Sequence, residues 1–600
     1  MGLTSNEEAD RLIAEGHPIE DRGDFEAALL LYRRAVDVAP GYARAHMNVG
    51  NALQRLDRID EALAAQRRAV ACAPDNPAAR FNLGLVLRSL GALEEAEAEL
   101  REALRLQPDL SESAIVLADL LEARMRSDEA EAMFRYALGI APDHAGTQLN
   151  YGMFCARQGR LDEAMEWFKR AKAGEPGLKD VESFLLFPYN FRTDVDAITI
   201  FEEHRRVGTA LQDAVGSPFT RWTNAPDPDR LLRIGYVSAD FRYHPVALFL
   251  RPVLEHHDSR GFETFCYSNH SEANEVADAL RARSGHWTNI TALDDGHFAE
   301  RIRSDGIDIL VDLSGHTNGN RLHVFARHPA PIQVTWLGYL NTTGLTAMDY
   351  RICDAYTDPE GETEPLYTER LVRMPHSQWC YAPWIGHESV PVARPAGRAA
   401  IVFGSFNQYV KITDDCLALW CRVLSQVPDS SLLVLDIRQA ETRTTLLERI
   451  ERNGIDRARV ITRGRQSIAD YFSAIGSVDI ALDTFPYNGA TTTLDTLWMG
   501  TPIVALRGER AIARGCYSVL KALGADELIA LNPDEYVDIN VRLARDADWR
   551  TRLCDTLRPR LATSPLMDAK QFVRDLEARY RQMWRAWCAR HARADESSIA

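Results

Sequence analysis

The sequence predicts a helical repeat array followed by two α/β lobes. Three observations carry this. One 34-residue period runs through the first third of the chain. From residue 231 onward, short apolar runs alternate with helical patterns, which is the signature of parallel sheets. A Pro- and Gly-rich stretch, CYAPWIGHESVPVARPAGRAA (380–400), divides those runs into two sets. The boundaries drawn are a repeat array over 9–176, a helical spacer over 177–230, and lobes over 231–385 and 398–590.

The period is visible in several registers. Prolines fall at Pro40, Pro74, Pro108, Pro142 and Pro176, and alanines at Ala35, Ala69, Ala103, Ala137 and Ala171. A second alanine series runs Ala28, Ala62, Ala96, Ala130, Ala164, and small residues recur at Gly16, Gly50, Gly84, Ala118 and Gly152. Two helices approach closely only where small side chains meet, so these registers mark helix pairs. Tyr32, Leu100, Phe134 and Phe168 are of a size to fill the grooves between pairs. Asp60-Glu61, Asp128-Glu129 and Asp162-Glu163 sit where a second helix begins and the macrodipole favours negative charge. Each proline is expected to end one pair and fit the first turn of the next. The repeat length and these residues resemble tetratricopeptide (TPR) repeats, which stack into superhelices with a concave binding face. Asn48, Asn82 and Asn150 share one register, broken by Ala14 and Val116. Their spacing alone fits helix solvation.

The spacer contains an amphipathic helix over 194–215, then the boundary stretch SPFTRWTNAPDPD (217–229). Strands of the first lobe are expected at Leu232–Val237, Thr264–Tyr267, Ile307–Val311, Ile332–Trp336 and Leu371–Met374. Those of the second are expected at Ile401–Phe403, Leu432–Leu435, Val460–Ile461, Val478–Leu482 and Ile503–Leu506. Two Rossmann-like lobes follow, and in such sheets ligands bind beyond the C-terminal strand ends.

Composition narrows the function. Of 600 residues, 86 are acidic and 69 basic, giving a net charge of −17. That argues against general nucleic-acid binding, which needs surplus Lys and Arg. No apolar run is long enough to span a bilayer, and the polar, acidic start lacks the pattern of an export signal. The ten cysteines are scattered without CxxC, so reduced thiols and a cytoplasmic location are expected.

The strand ends hold the chemistry. His244 follows the first strand at a helix start. DLSGHTNGNR (312–321), with His316 and Thr317, follows the third, and LGYLNTTG (337–344), with Gly338, the fourth. GSFNQYVKI (404–412), with Asn407, Gln408 and Lys411, opens the second lobe's site. DTFPYNGATTTLDTLWMG (483–500) is the most informative segment. There an NG turn leads into Thr491, Thr492 and Thr493 at a helix start, an arrangement that suits an anion as well as plain capping. Asp495, one turn on, is placed to accept from ribose hydroxyls. No GxxxxGK[ST] occurs, and the two DxD matches, Asp227-Pro228-Asp229 and Asp546-Ala547-Asp548, lie in polar contexts, so catalysis with protein cations in place of a metal is expected.

Taken together, GYVSADFRYHPVALFL, HPAPIQVTWLGYLNTTG, FNQYVKI, LDTFPYNGATTTLDTLWMGTPIV and LGADELIA resemble the catalytic region of the TPR-linked protein O-GlcNAc transferases of glycosyltransferase family 41, including the SPINDLY branch. The resemblance covers the array, spacer and both lobes in order. It implies a GT-B fold and inverting transfer of GlcNAc from UDP-GlcNAc to Ser or Thr of proteins, with no metal and no cofactor. It implies His244 near the sugar and diphosphate, Lys411 on the leaving diphosphate, and Gln408, Thr491 and Thr492 on the phosphates. It also implies Asp495 on the ribose, Gly338 and Thr317 lining the sugar pocket, and Asn48, Asn82 and Asn150 gripping the acceptor backbone in the TPR groove.

Two departures bear on the nucleotide. Ala490 stands where the animal enzymes carry His. RQSIADYF (465–472) replaces their basic, His-containing stretch, with Ile468 and Tyr471 instead. The resemblance to the plant SPINDLY proteins, which use GDP-fucose, makes that nucleotide sugar the alternative donor. The general base is open between His244, Asp305, Asp312 and the donor's own phosphate. The competing readings are an inactive TPR scaffold and a transferase acting on lipid or small-molecule sugars. Protein acceptors and a nucleotide sugar are the expected partners, with neither nucleic acid nor membrane among them. The oligomeric state, a homodimer included, stays open.

Overall fold

The computed structural model describes residues 4–178, 180–270, 274–391 and 400–599. The first third forms five helix pairs: α1 (Ser5–Asp21) with α2 (Phe25–Val38), α3 (Ala43–Arg55) with α4 (Ile59–Cys72), α5 (Pro77–Ser89) with α6 (Leu93–Leu106), α7 (Ser111–Ala123) with α8 (Ser127–Ile140), and α9 (Ala145–Arg157) with α10 (Leu161–Gly174). The small register does what its chemistry suggests. A Cβ added at Gly152 would stand 2.7 Å from Phe168 Cε1, so the aromatic ring packs on bare backbone. In the second pair the groove-filling position is Gln66, fully buried, whose amide nitrogen donates to Asn51 Oδ1 at 2.8 Å and Met47 O at 3.2 Å.

The period-marking prolines differ from expectation. They lie in the turns between pairs and not in the next helix's first turn, since α3 begins at Ala43 and α5 at Pro77. There the proline carbonyl accepts a side-chain bond from six residues on: Pro40 O from His46, Pro74 O from Arg80 and Pro142 O from Gln148, at 2.9, 3.0 and 2.7 Å.

The spacer continues from the last repeat as a short helix (Val181–Leu186), a 3₁₀ turn (Phe187–Phe191) and a helix, Ala197–Val215, capped by Asp196.

The first lobe holds seven parallel strands: β1 (Leu232–Ser238), β2 (Phe262–Ser268), β3 (His286–Asn289), β4 (Ile309–Asp312), β5 (Ile332–Thr335), β6 (Tyr350–Asp354) and β7 (Arg370–Met374), in the order β3-β2-β1-β4-β5-β6-β7. The second holds six: β8 (Val402–Ser405), β9 (Ser431–Val434), β10 (Val460–Thr462), β11 (Ile480–Leu482), β12 (Ile503–Leu506) and β13 (Ile529–Ala530), in the order β10-β9-β8-β11-β12-β13, again parallel. These are two doubly wound sheets, the arrangement of a GT-B catalytic region. Their strand order reverses between β1 and β4, and between β8 and β11, which is where crevices open. β3, β6 and β13 have no counterpart among the expected strands. β3 is polar and half-exposed, β6 carries Arg351 as its second residue, and β13 is two residues long.

The last helix, Ala569–Ile599, lies in the stretch assigned to the second lobe yet packs on the first. Phe572 stacks on Trp336, Glu577 accepts from His257 Nδ1 at 2.9 Å, and Trp584 Nε1 donates to Asp227 O at 2.8 Å. The repeat array touches both lobes. Gln439 donates to Glu131 of α8 at 3.0 Å, and Arg55 of α3 donates to Ala292 O at 2.8 Å. Among the described residues no helix is long and apolar enough to cross a membrane.

Candidate active site

The site is built at the two reversal points. In the second lobe, β8 and β11 end side by side, and Asp483 follows β11. Its Oδ1 accepts from Gly489 N at 2.9 Å and from Asn407 Nδ2 at 3.2 Å, which folds the 483–489 loop back over the end of β8. Lys411, on the 3₁₀ turn Tyr409–Lys411, reaches into that loop. Its Nζ donates to Asn488 O at 3.0 Å and lies 3.9 Å from the centroid of the Tyr487 ring. Burial lowers the Lys411 amine from its ordinary range, partly offset by Asp483. Burial raises the Asp483 carboxyl, partly offset by the lysine. An arriving anion therefore finds a cation whose amine is held by the Asn488 carbonyl, more loosely by Asn407 Oδ1 at 3.5 Å, and by one ring face.

Next to it begins the helix Thr491–Trp498. Its N-cap is Ala490, and no side chain caps it. Thr493 turns its hydroxyl back to Gly489 O at 2.7 Å, whereas the Thr491 hydroxyl makes no hydrogen bond among the described residues. Plain capping, the structural alternative for this Thr run, is thus not what the threonines do. The uncapped amides of the first turn, the Thr491 hydroxyl and the Lys411 ammonium form one electropositive cradle.

Asp495 sits one turn further and is 2% exposed. It accepts from Tyr381 at 2.8 Å, Tyr471 at 3.1 Å and Trp384 Nε1 at 3.4 Å. Burial raises its carboxyl to about 6, against the pull of those donors. The residue implied to meet ribose is therefore already fastened to three side chains. Two come from the inter-lobe stretch. The third, Tyr471, stands in the segment where the animal enzymes are basic.

In the first lobe, His244 is the N-cap of the helix Pro245–His256, its Nδ1 accepting from Val246 N at 3.4 Å and lying 3.6 Å from Asp240 Oδ2. Burial lowers its pKa, with Asp240 opposing and Arg242 assisting, so the neutral ring dominates at pH 7. Both aspartates named as alternative bases are engaged within the fold. Asp305 caps the helix end below β4, at the opposite edge of the sheet, and is held by Arg301 and Tyr267. Asp312, 1% exposed, accepts from Ser314 N, Gly315 N and Thr335 Oγ1 at 3.0, 2.9 and 2.9 Å. His316 is buried between Ser183 and Thr343 O. Thr317 bonds Ser314 O at 3.0 Å, and a Cβ on Gly338 would stand 2.9 Å from Ser314 Cα. Local packing accounts for both residues.

Gln408 is exposed and its side chain makes no hydrogen bond among the described residues. Asn48, Asn82 and Asn150 are half-buried on α3, α5 and α9, the first helices of their pairs. Asn48 is engaged by His17 Nε2 and Arg44 O at 3.2 and 2.9 Å, while Asn82 and Asn150 make no hydrogen bond among the described residues. Sequence reasoning did not single out Asp483, Tyr381, Trp384 or Tyr487. For Asp483 the signal was its place directly after a buried strand.

A family model described as glycosyl transferase family 41 matches residues 205–383 and 395–576, more than half of the chain. The chain belongs to glycosyl transferase family 41. A tetratricopeptide repeat model matches 20–77, 73–111 and 115–178. Among curated relatives, the tomato (Solanum lycopersicum) "Probable UDP-N-acetylglucosamine--peptide N-acetylglucosaminyltransferase SPINDLY" is 37% identical over 69% of this chain and 45% of its own length. The Arabidopsis thaliana protein of the same name is 38% identical over 65% of this chain and 43% of its own length. The chain thus spans less than half the length of these relatives. Among solved structures, a mutant O-GlcNAc transferase of Thermobaculum terrenum is 31% identical with a TM-score of 0.63, covering 98% of this chain and all of that one.

Proposed function

We propose that the protein transfers GlcNAc from UDP-GlcNAc to Ser or Thr hydroxyls of proteins held along the repeat array, with inversion at the sugar and without a metal. The observation that carries this reading is the Lys411 amine, bonded to Asn488 O directly before an uncapped helix end. That pair offers the leaving diphosphate a cation and free amides, a form of charge stabilisation worth a few kcal/mol. His244 is the first-lobe group left to take the hydroxyl proton once Asp305 and Asp312 are set aside, a role worth about 10²–10⁴-fold. The acceptor oxygen attacks the sugar's anomeric carbon. The bond to the diphosphate breaks and its electron pair leaves with UDP, while the proton passes to the imidazole. The printed names of the SPINDLY relatives support the donor and the peptide acceptor. The free cysteines suit a reducing compartment, and we place the protein in the cytoplasm.

Incubation of the protein and a cell lysate with labelled UDP-GlcNAc or GDP-fucose tests this. Label in protein from UDP-GlcNAc is expected. Label from GDP-fucose alone would replace the sugar, label in lipid would replace the acceptor class, and no label with either donor would leave a scaffold.

A further inference from the structure

A column of aromatic rings runs from the last repeat to the catalytic lysine. Phe168 of α10 stacks on Phe184 of the spacer with centroids 5.7 Å apart. Phe184 sits one helical turn before Phe187, which meets Phe191 edge-on at 5.0 Å. Phe191 in turn stacks on Tyr487 at 5.4 Å and 30°. The same Tyr487 ring meets the Lys411 ammonium, 3.9 Å from its centroid.

The 3₁₀ turn carrying Phe191 is clamped from both lobes. Arg510, after β12, donates to Tyr189 O at 3.1 Å and Arg192 O at 2.8 Å. Tyr339, after β5, accepts from Asn190 Nδ2 at 3.2 Å. Phe191 itself is 4% exposed. It is buried without touching the reacting groups, yet it backs the ring that backs the lysine.

We infer that Phe191 is a positioning residue for Lys411, acting through Tyr487, and that the spacer thereby sets how well the lysine meets a diphosphate. The inference rests on the diphosphate reading of the site given above. The physical basis is the cation–π contact. A Tyr487 ring free to tilt no longer presents its face to the ammonium, and the lysine loses one of the contacts that hold it. Spatial continuity alone does not establish coupling, so the test is a double-mutant cycle.

Affinities for UDP and for uridine are measured by calorimetry on wild type, Phe191→Leu, Lys411→Met and the double variant, each checked for an unchanged melting profile. If UDP does not bind, GDP and guanosine take their places. Phe191→Leu is expected to weaken the diphosphate about five- to tenfold. The nucleoside should stay within about twofold, and the effect should vanish in the Lys411→Met background. Phe191→Tyr, which keeps the ring, should return the affinity to near wild type. If Phe191→Leu does not fold, Phe191→Met replaces it. Unchanged diphosphate affinity, an equal loss for nucleoside and diphosphate, or a loss that persists without Lys411 each overturns the inference alone. A wild-type protein that binds neither diphosphate overturns the site reading itself, and this inference with it.

Discussion

The Tyr471 hydroxyl donates to the Asp495 carboxylate across 3.1 Å, tying the segment before β11 to the helix after it. Tyr381 and Trp384 approach the same carboxylate from the inter-lobe stretch. Asp495 therefore joins three chain segments whatever else it touches, and its charge state matters to the fold as well as to a ligand.

For Asp495 the sign is fixed by its carboxyl lying at about 6 in the folded protein, above the unfolded value. Between about pH 4 and 6 the folded chain keeps a proton that the unfolded chain has lost. This group's contribution to stability therefore falls as pH rises through that window, by up to about 3 kcal/mol. Asp495→Asn cannot titrate. The variant's stability relative to wild type should rise from pH 4 to pH 6.5 in urea melts, and parallel curves would refute the assignment.

Lys411→Ala is expected to reduce transfer by about 10²–10³-fold while leaving the melting temperature near that of wild type, because the amine makes only a few polar contacts. Single-turnover rates with saturating donor measure this. Retained turnover in a folded variant would remove the lysine from the mechanism.

Thr491→Val keeps the shape and removes a hydroxyl that makes no hydrogen bond among the described residues. The expected result is unchanged stability, within about 0.5 kcal/mol, and a several-fold weaker diphosphate affinity. A loss of stability with unchanged affinity would make the residue a structural one.

Gly338→Ala is expected to act on the fold. The added methyl would press on the Leu313–Ser314 backbone, which cannot retreat like a flexible side chain, at a cost of about 1–3 kcal/mol. Denaturant titration should show this loss before any change in donor affinity per folded molecule.

Asn82→Ala and Asn150→Ala should leave melting unchanged, since neither amide has a partner among the described residues, and should raise the KM for a protein acceptor but not for donor. Asn48→Ala breaks bonds to His17 and Arg44 and should lower stability as well. Equal donor and acceptor effects would count against a groove role.

The repeat array was legible because each pair contacts chiefly its neighbours, so one local rule recurs along the chain and Gly152 against Phe168 restates Gly50 against Gln66. Strands with unbroken apolar runs were legible too. β6 was not, because Arg351 near its start is buried and spends its guanidinium on Tyr339 O and Asn341 O, which only the folded neighbours reveal. In the site, Lys411 and the threonines stood out by position after strands. The role of Asp483 did not, since its partner Asn407 lies 76 residues away. Tyr381 and Trp384 were hidden inside a stretch whose prolines and glycines announce only a connection.

The return of the last helix to the first lobe has a mechanical consequence. The chain passes between the lobes through the stretch around Trp384 and again near Ala569, and Ser518 on Asp354 Oδ2 at 2.9 Å and Arg514 on Thr357 O at 3.2 Å fasten them directly. Parting the lobes must therefore break those side-chain bonds as well as bend the two crossings.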